Sequence, residues 1–393
     1  MRLHRVFTTL ALAMLASAPA YAAPAKTFPK PLAEEPIPNV EILPDPYPAS
    51  WVIVHDFNFN ALPDGRGIIV DTASAASSVK GMVQIAQFGN VLTSSAKKEI
   101  YTAETYYSRL SRGERTDVIT IWDMATLKPS GEIILPGGKR QQQVTYKNTF
   151  QFTNGGKWAL VSNFTPAQSV TVVDLEGRKV LGDIDLPGCS MIYPTGERGF
   201  TTFCADGTMT TLQLAPDGTL GKSITSKPII EIDKQPLFSM PAMVGKTAWF
   251  VSYHGLIRGF DLSGPVAKPL GKDFSVGTAE GGKPEWRPGG WQVIASDAKG
   301  RLYVLMSPAG KEGSHKDGGS EVWVVDPSTK ARIARIPIKG VGASIEVTRE
   351  ASPRLIVARG DAVVDVYDAD SGAFVHTLGA SVAFNPQTLS VIY

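Results

Sequence analysis

Charged residues are scarce in this sequence. They make up 19% of the 393 residues, against about 25% in an average soluble protein. The 39 Lys and Arg nearly balance the 37 Asp and Glu, and Arg2 and Arg5 at the N-terminus account for the difference. A chain without net charge lacks the counterion release that drives binding to DNA or RNA. With 43% hydrophobic residues, the chain is predicted to be folded and to bind no nucleic acid.

Motifs for catalysis, cofactor binding and metal binding are also missing. Beyond residue 22 the histidines are His55, His254, His315 and His376, and no two of them have the spacing of a local zinc motif. No Gly-x-Gly-x-x-Gly, phosphate-binding loop or Gly-x-Ser-x-Gly pattern occurs. We therefore predict no catalytic residue, bound cofactor or metal ion in this chain, although ligands from distant segments could still meet in the folded protein.

The sequence has no apolar run long enough to span a membrane, which needs about 20 residues. The apolar run Val6–Ala18 follows the basic segment Met1–Arg5 and precedes Ala20-Tyr-Ala22, which fits a signal-peptidase site. We predict a signal peptide over residues 1–22, cleavage near Ala22, export to a bacterial periplasm and no membrane anchor. The proline-rich residues 23–48 are predicted to form an N-terminal arm.

Cysteine is nearly absent, with Cys189 and Cys204 as the only pair. The two lie on either side of Pro194-Thr-Gly-Glu197, a predicted hairpin turn that would place them on neighbouring strands. In an oxidising compartment an even pair indicates a disulfide. Their spacing is not Cys-x-x-Cys, so we predict a structural disulfide rather than a redox-active one.

What the sequence does contain is a repeat. Short runs of β-branched or aromatic residues end at an aspartate, and a turn with Gly, Ser or Pro and a further strand-like run follow. These aspartates are Asp71, Asp123, Asp174, Asp261, Asp326 and Asp368. The wider interval between Asp174 and Asp261 has room for one more unit, Met209–Lys222, with its turn at Pro216-Asp-Gly218.

Seven units of about 50 residues each are typical of a β-propeller. We predict an all-β fold, a seven-bladed β-propeller over residues 49–393. The apolar segment Val382–Tyr393 is expected to close the ring as a strand beside the first blade. Two separate all-β domains are the alternative, but the units continue evenly and no linker interrupts them.

Three segments are richer in polar or aromatic residues than blade packing requires: Tyr106–Asp117, Trp286–Trp291 and Gly310–Lys316. With Val172–Gly177 and the spaced cysteines, they resemble the large subunit of the quinone-dependent amine dehydrogenases, the methylamine and aromatic amine enzymes. The resemblance runs from about residue 45 to 380 and rests on several motifs in the same order. It implies the seven-bladed propeller that the repeat also predicts.

The resemblance further implies a periplasmic α2β2 assembly. Its small subunit would carry the cofactor, tryptophan tryptophylquinone, and the catalytic aspartate. A primary amine would be oxidised to an aldehyde and ammonia, and electrons would pass to a blue-copper protein such as amicyanin or azurin. A chain without catalytic groups fits the large subunit. Trp286–Trp291 favours the methylamine branch and Lys311–Lys316 the aromatic branch, so the size of the amine stays open.

One site residue follows from the resemblance. The family places a phenylalanine of the large subunit at the mouth of the substrate channel, near the end of the first long strand. In the segment Trp51–Phe59 the best match is Phe59, and Phe57 is the second choice, which would point to the same strand face. A buried aromatic residue of the first blade remains the other interpretation.

Two further function classes remain open. A stand-alone propeller that acts as a binding or scaffold module would show the same repeats. A propeller hydrolase of the lactonase type would hold a divalent metal in its channel. An orphan large subunit without its partner would have the same sequence as a working one.

Overall fold

The computed structural model describes residues 41–276, 285–379 and 382–392. The predicted signal peptide and the first part of the arm, up to residue 40, lie outside these ranges. Regular structure in the described residues is almost entirely β-strand, and the exceptions are four short 3₁₀ turns, Leu62–Asp64, Lys147–Thr149, Asn154–Gly156 and Ser314–Lys316. Within the same residues, no helix has the length and apolar character that a bilayer crossing would require.

The first fifteen strands are short and follow one another closely. They are β1 (Trp51–Asp56), β2 (Arg66–Asp71), β3 (Val79–Gln84), β4 (Asn90–Ser94), β5 (Glu99–Arg109), β6 (Arg112–Asp123), β7 (Pro129–Leu135), β8 (Phe150–Thr153), β9 (Trp158–Asn163), β10 (Ser169–Asp174), β11 (Lys179–Asp185), β12 (Cys189–Pro194), β13 (Gly199–Cys204), β14 (Met209–Leu214) and β15 (Leu220–Thr225).

The remaining strands include the longest of the protein. They are β16 (Ala242–Val244), β17 (Thr247–Val251), β18 (Leu256–Asp261), β19 (Lys268–Pro269), β20 (Phe274–Ser275), β21 (Arg287–Pro288), β22 (Ile294–Ser296), β23 (Leu302–Ser307), β24 (Gly319–Asp326), β25 (Ala331–Val347), β26 (Arg354–Arg359), β27 (Val364–Asp368), β28 (Phe374–Thr377) and β29 (Pro386–Val391).

The strands form antiparallel sheets in which sequence neighbours pair, as in the blades of a propeller. Five sheets have four or five strands: β29-β1-β2-β3, β4 to β7, β8 to β11, β12 to β15, and β16 to β19 with β20 beside β18. The sixth has eight strands and contains β21 to β28. The predicted all-β propeller fold is confirmed. Seven separate sheets are not observed, because the 17-residue β25 pairs with both β24 and β26 and joins their strands into one sheet.

The last strand closes the ring, as the sequence predicted. Strand β29 pairs with β1, and Val52 lies opposite Val391. Apolar side chains of this sheet, such as Val54, Ile68 and Leu389, pack with Ile356 and other residues of the eight-stranded sheet in one buried cluster. Burial of this apolar surface stabilises the closed ring in addition to the strand hydrogen bonds.

The repeated aspartates have a local structural role. Each of the six is the last residue of its strand: β2, β6, β10, β18, β24 and β27. The carboxylate accepts hydrogen bonds from the turn that follows; Asp326, for example, accepts from the Ser328 amide at 2.8 Å and its hydroxyl at 2.7 Å. Such Asx turns end one strand and start the next, which explains why the repeat was visible in the sequence.

These turns predict a loss of stability in acid. Hydrogen bonds from the following Ser or Thr lower the pKa of Asp123, Asp261, Asp326 and Asp368. In the unfolded chain the pKa of aspartate is near 3.9, and in the folded protein it is lower. Such a carboxylate stabilises the folded protein at a pH above the unfolded-state pKa, and this stability is lost as the pH falls through the folded-state pKa. We expect the free energy of unfolding to decrease below about pH 4. Urea titrations from pH 6 to 2.5 measure it. Replacing the four aspartates by asparagine should flatten this decrease, and an unchanged slope would contradict the assignment.

The two cysteines form the predicted disulfide. Cys189 on β12 and Cys204 on β13 are directly opposite each other, with Cα atoms 3.9 Å apart. The turn between the strands lies at Thr195–Arg198, as the sequence indicated. The disulfide therefore links the two strands of one hairpin.

Candidate functional site

A large cavity occupies the middle of the protein. Its volume is about 640 Å³, and residues of β4, β8, β12, β16, β22, β25 and β29 all contribute to its lining. Many of the lining side chains are apolar, including Val91, Phe152, Ile294 and Val391. The cavity is therefore the central channel around which the sheets are arranged.

A group of polar residues lies across this channel. Lys147 Nζ is 3.0 Å from Glu346 Oε2 and donates a hydrogen bond to the Leu389 carbonyl at 2.8 Å. The Gln292 side chain donates to Glu346 Oε2 at 3.0 Å and accepts from the Leu389 amide at 2.9 Å. We call Lys147, Gln292 and Glu346 the polar belt. Their side chains are bound to one another and to the main chain of β29, so they connect three sheets.

A second cavity, of about 430 Å³, lies next to the polar belt. Tyr146 and Trp291, which directly precede Lys147 and Gln292, are among its lining residues. Their rings stack with centroids 4.5 Å apart. On another wall, Tyr253 stacks on His315 at 4.0 Å. We call this cavity the aromatic cup.

The aromatic residues continue from the cup to Phe59. The Trp291 indole donates to the Thr145 carbonyl at 3.1 Å, and the Thr145 hydroxyl donates to the Phe88 carbonyl at 2.9 Å. The rings of Phe88 and Phe59 have centroids 6.1 Å apart. We call Phe59, Phe88 and the rings of the cup the aromatic face. It groups aromatic side chains from several loops, of which Phe59 is exposed and Phe88, Tyr146 and Trp291 are partly exposed.

The structure separates the two candidate phenylalanines. Strand β1 ends at Asp56, so Phe57 and Phe59 lie in the loop that follows it, and the expected shared strand face is wrong. The reason is Asn58, whose φ of 44° turns the chain. Phe57 is 2% exposed and packs edge-on against His55, whereas Phe59 is 43% exposed. Only Phe59 is placed to meet a substrate or a partner.

The Phe59 loop is fixed by a buried carboxylate. Asp56 accepts hydrogen bonds from the backbone amides of Asn58, Phe384 and Asn385 at 2.8 to 2.9 Å. The Asn385 side chain then accepts from the Phe59 amide at 2.9 Å. One carboxylate therefore holds both the Phe59 loop and the segment that leads into β29.

His55, below Phe57, is buried and has an incomplete set of hydrogen bonds. Its Nδ1 lies 3.4 Å from the Thr388 hydroxyl, and Nε2 has no partner among the described residues. Burial lowers the pKa of His55 to about 3. The imidazole is therefore neutral in the folded protein at any pH where the protein functions.

This histidine predicts a second pH effect on stability. Between pH 6.5 and about 3 the unfolded chain binds a proton at His55 and the folded chain does not, so stability decreases as the pH falls through that range. The slope amounts to about 1.4 kcal/mol per pH unit. We expect His55→Leu to flatten the free energy of unfolding between pH 7 and 4.5. The control is His254→Leu, in the turn after β17. If both variants keep the wild-type slope, another group causes the effect.

A buried guanidinium holds the Phe88 loop. Arg140 is 5% exposed, and it donates to the carbonyls of Gln87 at 2.7 Å and Phe88 at 3.1 Å and to the Thr105 hydroxyl at 2.8 Å. Burial lowers the pKa of Arg140 to about 10, so the group stays charged at neutral pH. The loop needs this support because both Gln87 and Phe88 have positive φ, 48° and 53°.

The polar segment singled out in the sequence supports Arg140. Asp117 accepts from the Arg140 amide at 3.0 Å, from the Thr105 hydroxyl at 2.5 Å and from both ends of the Arg115 guanidinium at 2.9 and 3.0 Å. Arg115 in turn donates to the Arg140 carbonyl at 2.6 Å. Segment Tyr106–Asp117, in the hairpin of β5 and β6, thus positions the loop that carries Phe88. Sequence reasoning did not find Arg140, Phe88 or the polar belt.

The other two segments meet at the aromatic cup. Trp286–Trp291 and Gly310–Lys316 are joined by a hydrogen bond from the Gly290 amide to the His315 carbonyl at 2.9 Å. Trp291 and His315 both line the cup, whereas Trp286 packs against Trp323 with ring centroids 5.2 Å apart. Val172–Gly177 contains one of the Asx turns, in which Asp174 accepts from the Gly177 amide at 3.0 Å. No cluster of three or more His, Cys, Asp or Glu with metal-binding geometry occurs in the part of the chain that the structure describes.

Comparisons with solved structures agree with the fold. A functionally unknown protein from Desulfotomaculum acetoxidans aligns with a TM-score of 0.58 at 13% identity and covers 88% of this chain and 99% of its own. The Swd1 β-propeller domain from Myceliophteria thermophila aligns with a TM-score of 0.51 at 10% identity, over 82% of this chain and 93% of its own. At these identities the likeness concerns the fold alone.

Sequence comparisons identify the family. Residues 55–388 match the family model described as methylamine dehydrogenase heavy chain. The methylamine dehydrogenase heavy chain of Methylorubrum extorquens is 31% identical over 343 residues, which cover 85% of this chain and 82% of that protein. The match includes the loops of the aromatic face as well as the strands. The chain therefore belongs to the methylamine dehydrogenase heavy chain family.

Proposed function

We propose that this chain is the large subunit of a quinone-dependent amine dehydrogenase that oxidises a primary amine to an aldehyde and ammonia. The observation that carries the proposal is the family match over residues 55–388. The contacts of the polar belt hold sheets together and those of Arg140 hold the Phe88 loop, and these roles are compatible with the proposal. In this division of labour the catalytic base is on a partner subunit.

The aromatic face is the proposed docking surface for that partner, a small subunit in an α2β2 assembly. Phe59 is 43% exposed, and Phe384, next to the Asn385 that binds the Phe59 loop, is 57% exposed. Exposed aromatic side chains held on fixed loops are frequent energetic centres of protein interfaces. The partner surface should therefore offer apolar groups opposite Phe59 and Phe384.

The cofactor proposed for the assembly is tryptophan tryptophylquinone, carried by the small subunit. This cofactor would accept two electrons from the amine and release them to a blue-copper protein such as amicyanin or azurin. Residues of this chain are suited to enclose the quinone group on one side. Phe59 and Phe88 present apolar rings, and Asp56 and Arg140 fix their loops. Their role would be to exclude water and to limit the size of the amine.

Phe59 is proposed as the residue at the mouth of the substrate channel. We expect Phe59→Ala to raise the relative kcat/KM for bulky over small primary amines by about tenfold, since it removes a half-exposed ring where space limits access. The measurement compares methylamine with benzylamine on the intact assembly. Phe164→Ala, which removes another exposed phenylalanine, is the control and should leave the ratio unchanged. An unchanged ratio in Phe59→Ala would remove Phe59 from the channel.

The number of blades is proposed to be seven. The eight-stranded sheet divides at β25, whose first half pairs with β24 and whose second half, from Gly342, pairs with β26. Each half would then belong to a separate blade. Support comes from the central channel, whose lining includes β4, β8, β12, β16, β22, β25 and β29, one strand for each of seven blades.

We place the protein in the periplasm, after removal of residues 1–22. The Cys189–Cys204 disulfide supports an oxidising compartment.

The deciding experiment for the proposed function is purification of the tagged protein from the periplasm of its native host, followed by a visible spectrum and amine-dependent dye reduction. A co-purifying small subunit with a quinone band that added amine bleaches is the expected result, and the amine that bleaches it fastest defines the substrate. A colourless propeller, inert to amines under conditions that induce amine metabolism, would favour a binding module or an orphan subunit.

A further inference from the structure

The aromatic cup has the size and walls of a small-molecule site. Its volume of about 430 Å³ is within the usual range of ligand pockets, about 300 to 1,000 Å³. The stacked pairs Tyr146–Trp291 and Tyr253–His315 belong to four separate loops, and Phe238 packs against Tyr253 with ring centroids 4.6 Å apart. The rings support one another, so the cavity is preformed.

Two hydroxyl groups of the cup are unused. Among the described residues, neither the Tyr146 nor the Tyr253 phenol forms a hydrogen bond within the protein. The two phenols are close enough to interact electrostatically, since Tyr253 adds to the effect of burial in raising the pKa of Tyr146. Both hydroxyls therefore stay protonated and offer their oxygen lone pairs to a donor in the cup. By contrast, the Trp291 indole is already bound to the Thr145 carbonyl.

The charges around the cup cancel. Lys316 and Asp317 are neighbours at its wall, and both are exposed to solvent. Burial, and then the adjacent Lys316, lower the pKa of His315, so its imidazole is neutral at pH 7. The cup thus repels neither cations nor anions, and its selectivity must come from the aromatic rings and the phenol oxygens. Aromatic faces attract cations and phenol oxygens accept hydrogen bonds from ammonium groups.

We propose that the aromatic cup binds an organic ammonium ion, with its N–H groups toward the phenols of Tyr146 and Tyr253 and its apolar part against the surrounding rings. The site is separate from the amine-oxidising centre proposed for the partner subunit. It also differs from the central channel, because the two cavities share no lining residue. If the proposed function is correct, the cup would hold the substrate cation on the large subunit, at the part of the aromatic face away from Phe59.

The test is direct binding to the purified full chain without its partner, by isothermal titration calorimetry. Benzylammonium and benzyl alcohol are the probes, because they share an apolar body and differ in charge. We expect benzylammonium to bind at least about tenfold more tightly than the alcohol. Tyr146→Phe and Tyr253→Phe keep the rings and remove the hydroxyls, and each should raise the Kd for benzylammonium about fivefold. Tyr107→Phe, which removes a hydroxyl bound to Gln142, is the matched control and should change nothing.

A second pair of variants tests the charge of the ligand without touching the rings. Asp317→Asn should weaken and Lys316→Gln should strengthen benzylammonium binding, and neither should change the affinity for benzyl alcohol. Equal affinities for the two probes, or no binding of benzylammonium, would overturn the proposal. Because no amine is oxidised in this experiment, its failure would leave the proposed function intact, which amine-dependent dye reduction by the assembly tests separately.

Discussion

Asp56→Ala is expected to lower the free energy of unfolding by about 4 kcal/mol, because hydrogen bonds to a charged group contribute about 1.5 to 3 kcal/mol each and are not fully additive. The carboxylate is 1% exposed and accepts three backbone amides, two of which belong to the segment before β29. Its removal leaves these amides without partners at the point where the last strand joins the first sheet. Urea denaturation at pH 7 measures the loss.

Two further variants sharpen this prediction. Asp56→Asn keeps one carbonyl oxygen as an acceptor and should cause a smaller loss than alanine. Asp64→Ala removes a nearby carboxylate that is about half exposed and paired with Arg66, and it should cost at most about 1 kcal/mol. If Asp56→Ala is no more destabilising than Asp64→Ala, the carboxylate is not what holds the ring closed.

Arg140→Met is expected to be similarly damaging, with a loss of about 3 to 5 kcal/mol, because the carbonyls of Gln87 and Phe88 and the Thr105 hydroxyl each lose a hydrogen bond from a buried charged group, worth about 1.5 to 3 kcal/mol each and not fully additive. The substitution keeps much of the apolar length of the side chain but leaves Asp117 without one of its two cationic neighbours. It also frees the carbonyls of Gln87 and Phe88, whose left-handed backbone then has less support. We therefore expect the selectivity of the assembly for small over bulky amines to decrease as well, because Phe88 packs against Phe59.

The controls for Arg140 separate charge from geometry. Arg140→Lys keeps the charge, but an ammonium group cannot reproduce the planar set of donors, so we expect most of the loss to remain. Arg178→Met removes a guanidinium that is 47% exposed, and its effect should be small. Full stability of Arg140→Lys would show that charge alone matters here, and unchanged amine selectivity in Arg140→Met would separate the Phe88 loop from the substrate path.

The features that sequence predicted correctly depend on neighbouring residues. Asp326 caps a turn two residues away, and the Cys189–Cys204 pair connects adjacent strands of a hairpin. Ring closure by the last strand was also predictable, because an apolar C-terminal run needs a partner and a repeat protein offers one at its first blade. The propeller fold follows from such local signals repeated along the chain.

The features that sequence did not reveal depend on contacts between distant residues. Lys147 and Glu346 are 199 positions apart, and nothing near either residue indicates the other. Arg140 lies in the loop between β7 and β8, and its role arises only when the Phe88 loop folds against it. Phe59 was singled out through the family resemblance, and its role at a channel mouth stays a prediction. Its loop was misread as strand, because the alternation of polar and apolar residues there favours a strand and gives no clear sign of the left-handed conformation of Asn58.

The pairing of β29 with β1 also determines when the protein can complete its fold. His55 and Thr388 are 333 positions apart, and bringing the ends of such a loop together costs about 5 kcal/mol in chain entropy before any contact compensates for it. The internal sheets of four or five strands, in contrast, consist of strands that follow one another within about 50 residues. The blades can thus form early and independently, whereas the junction forms late and opens first under stress. Until then the free edges of β1 and β29 expose unpaired backbone groups, and this makes the nearly folded chain the species most in need of protection from aggregation.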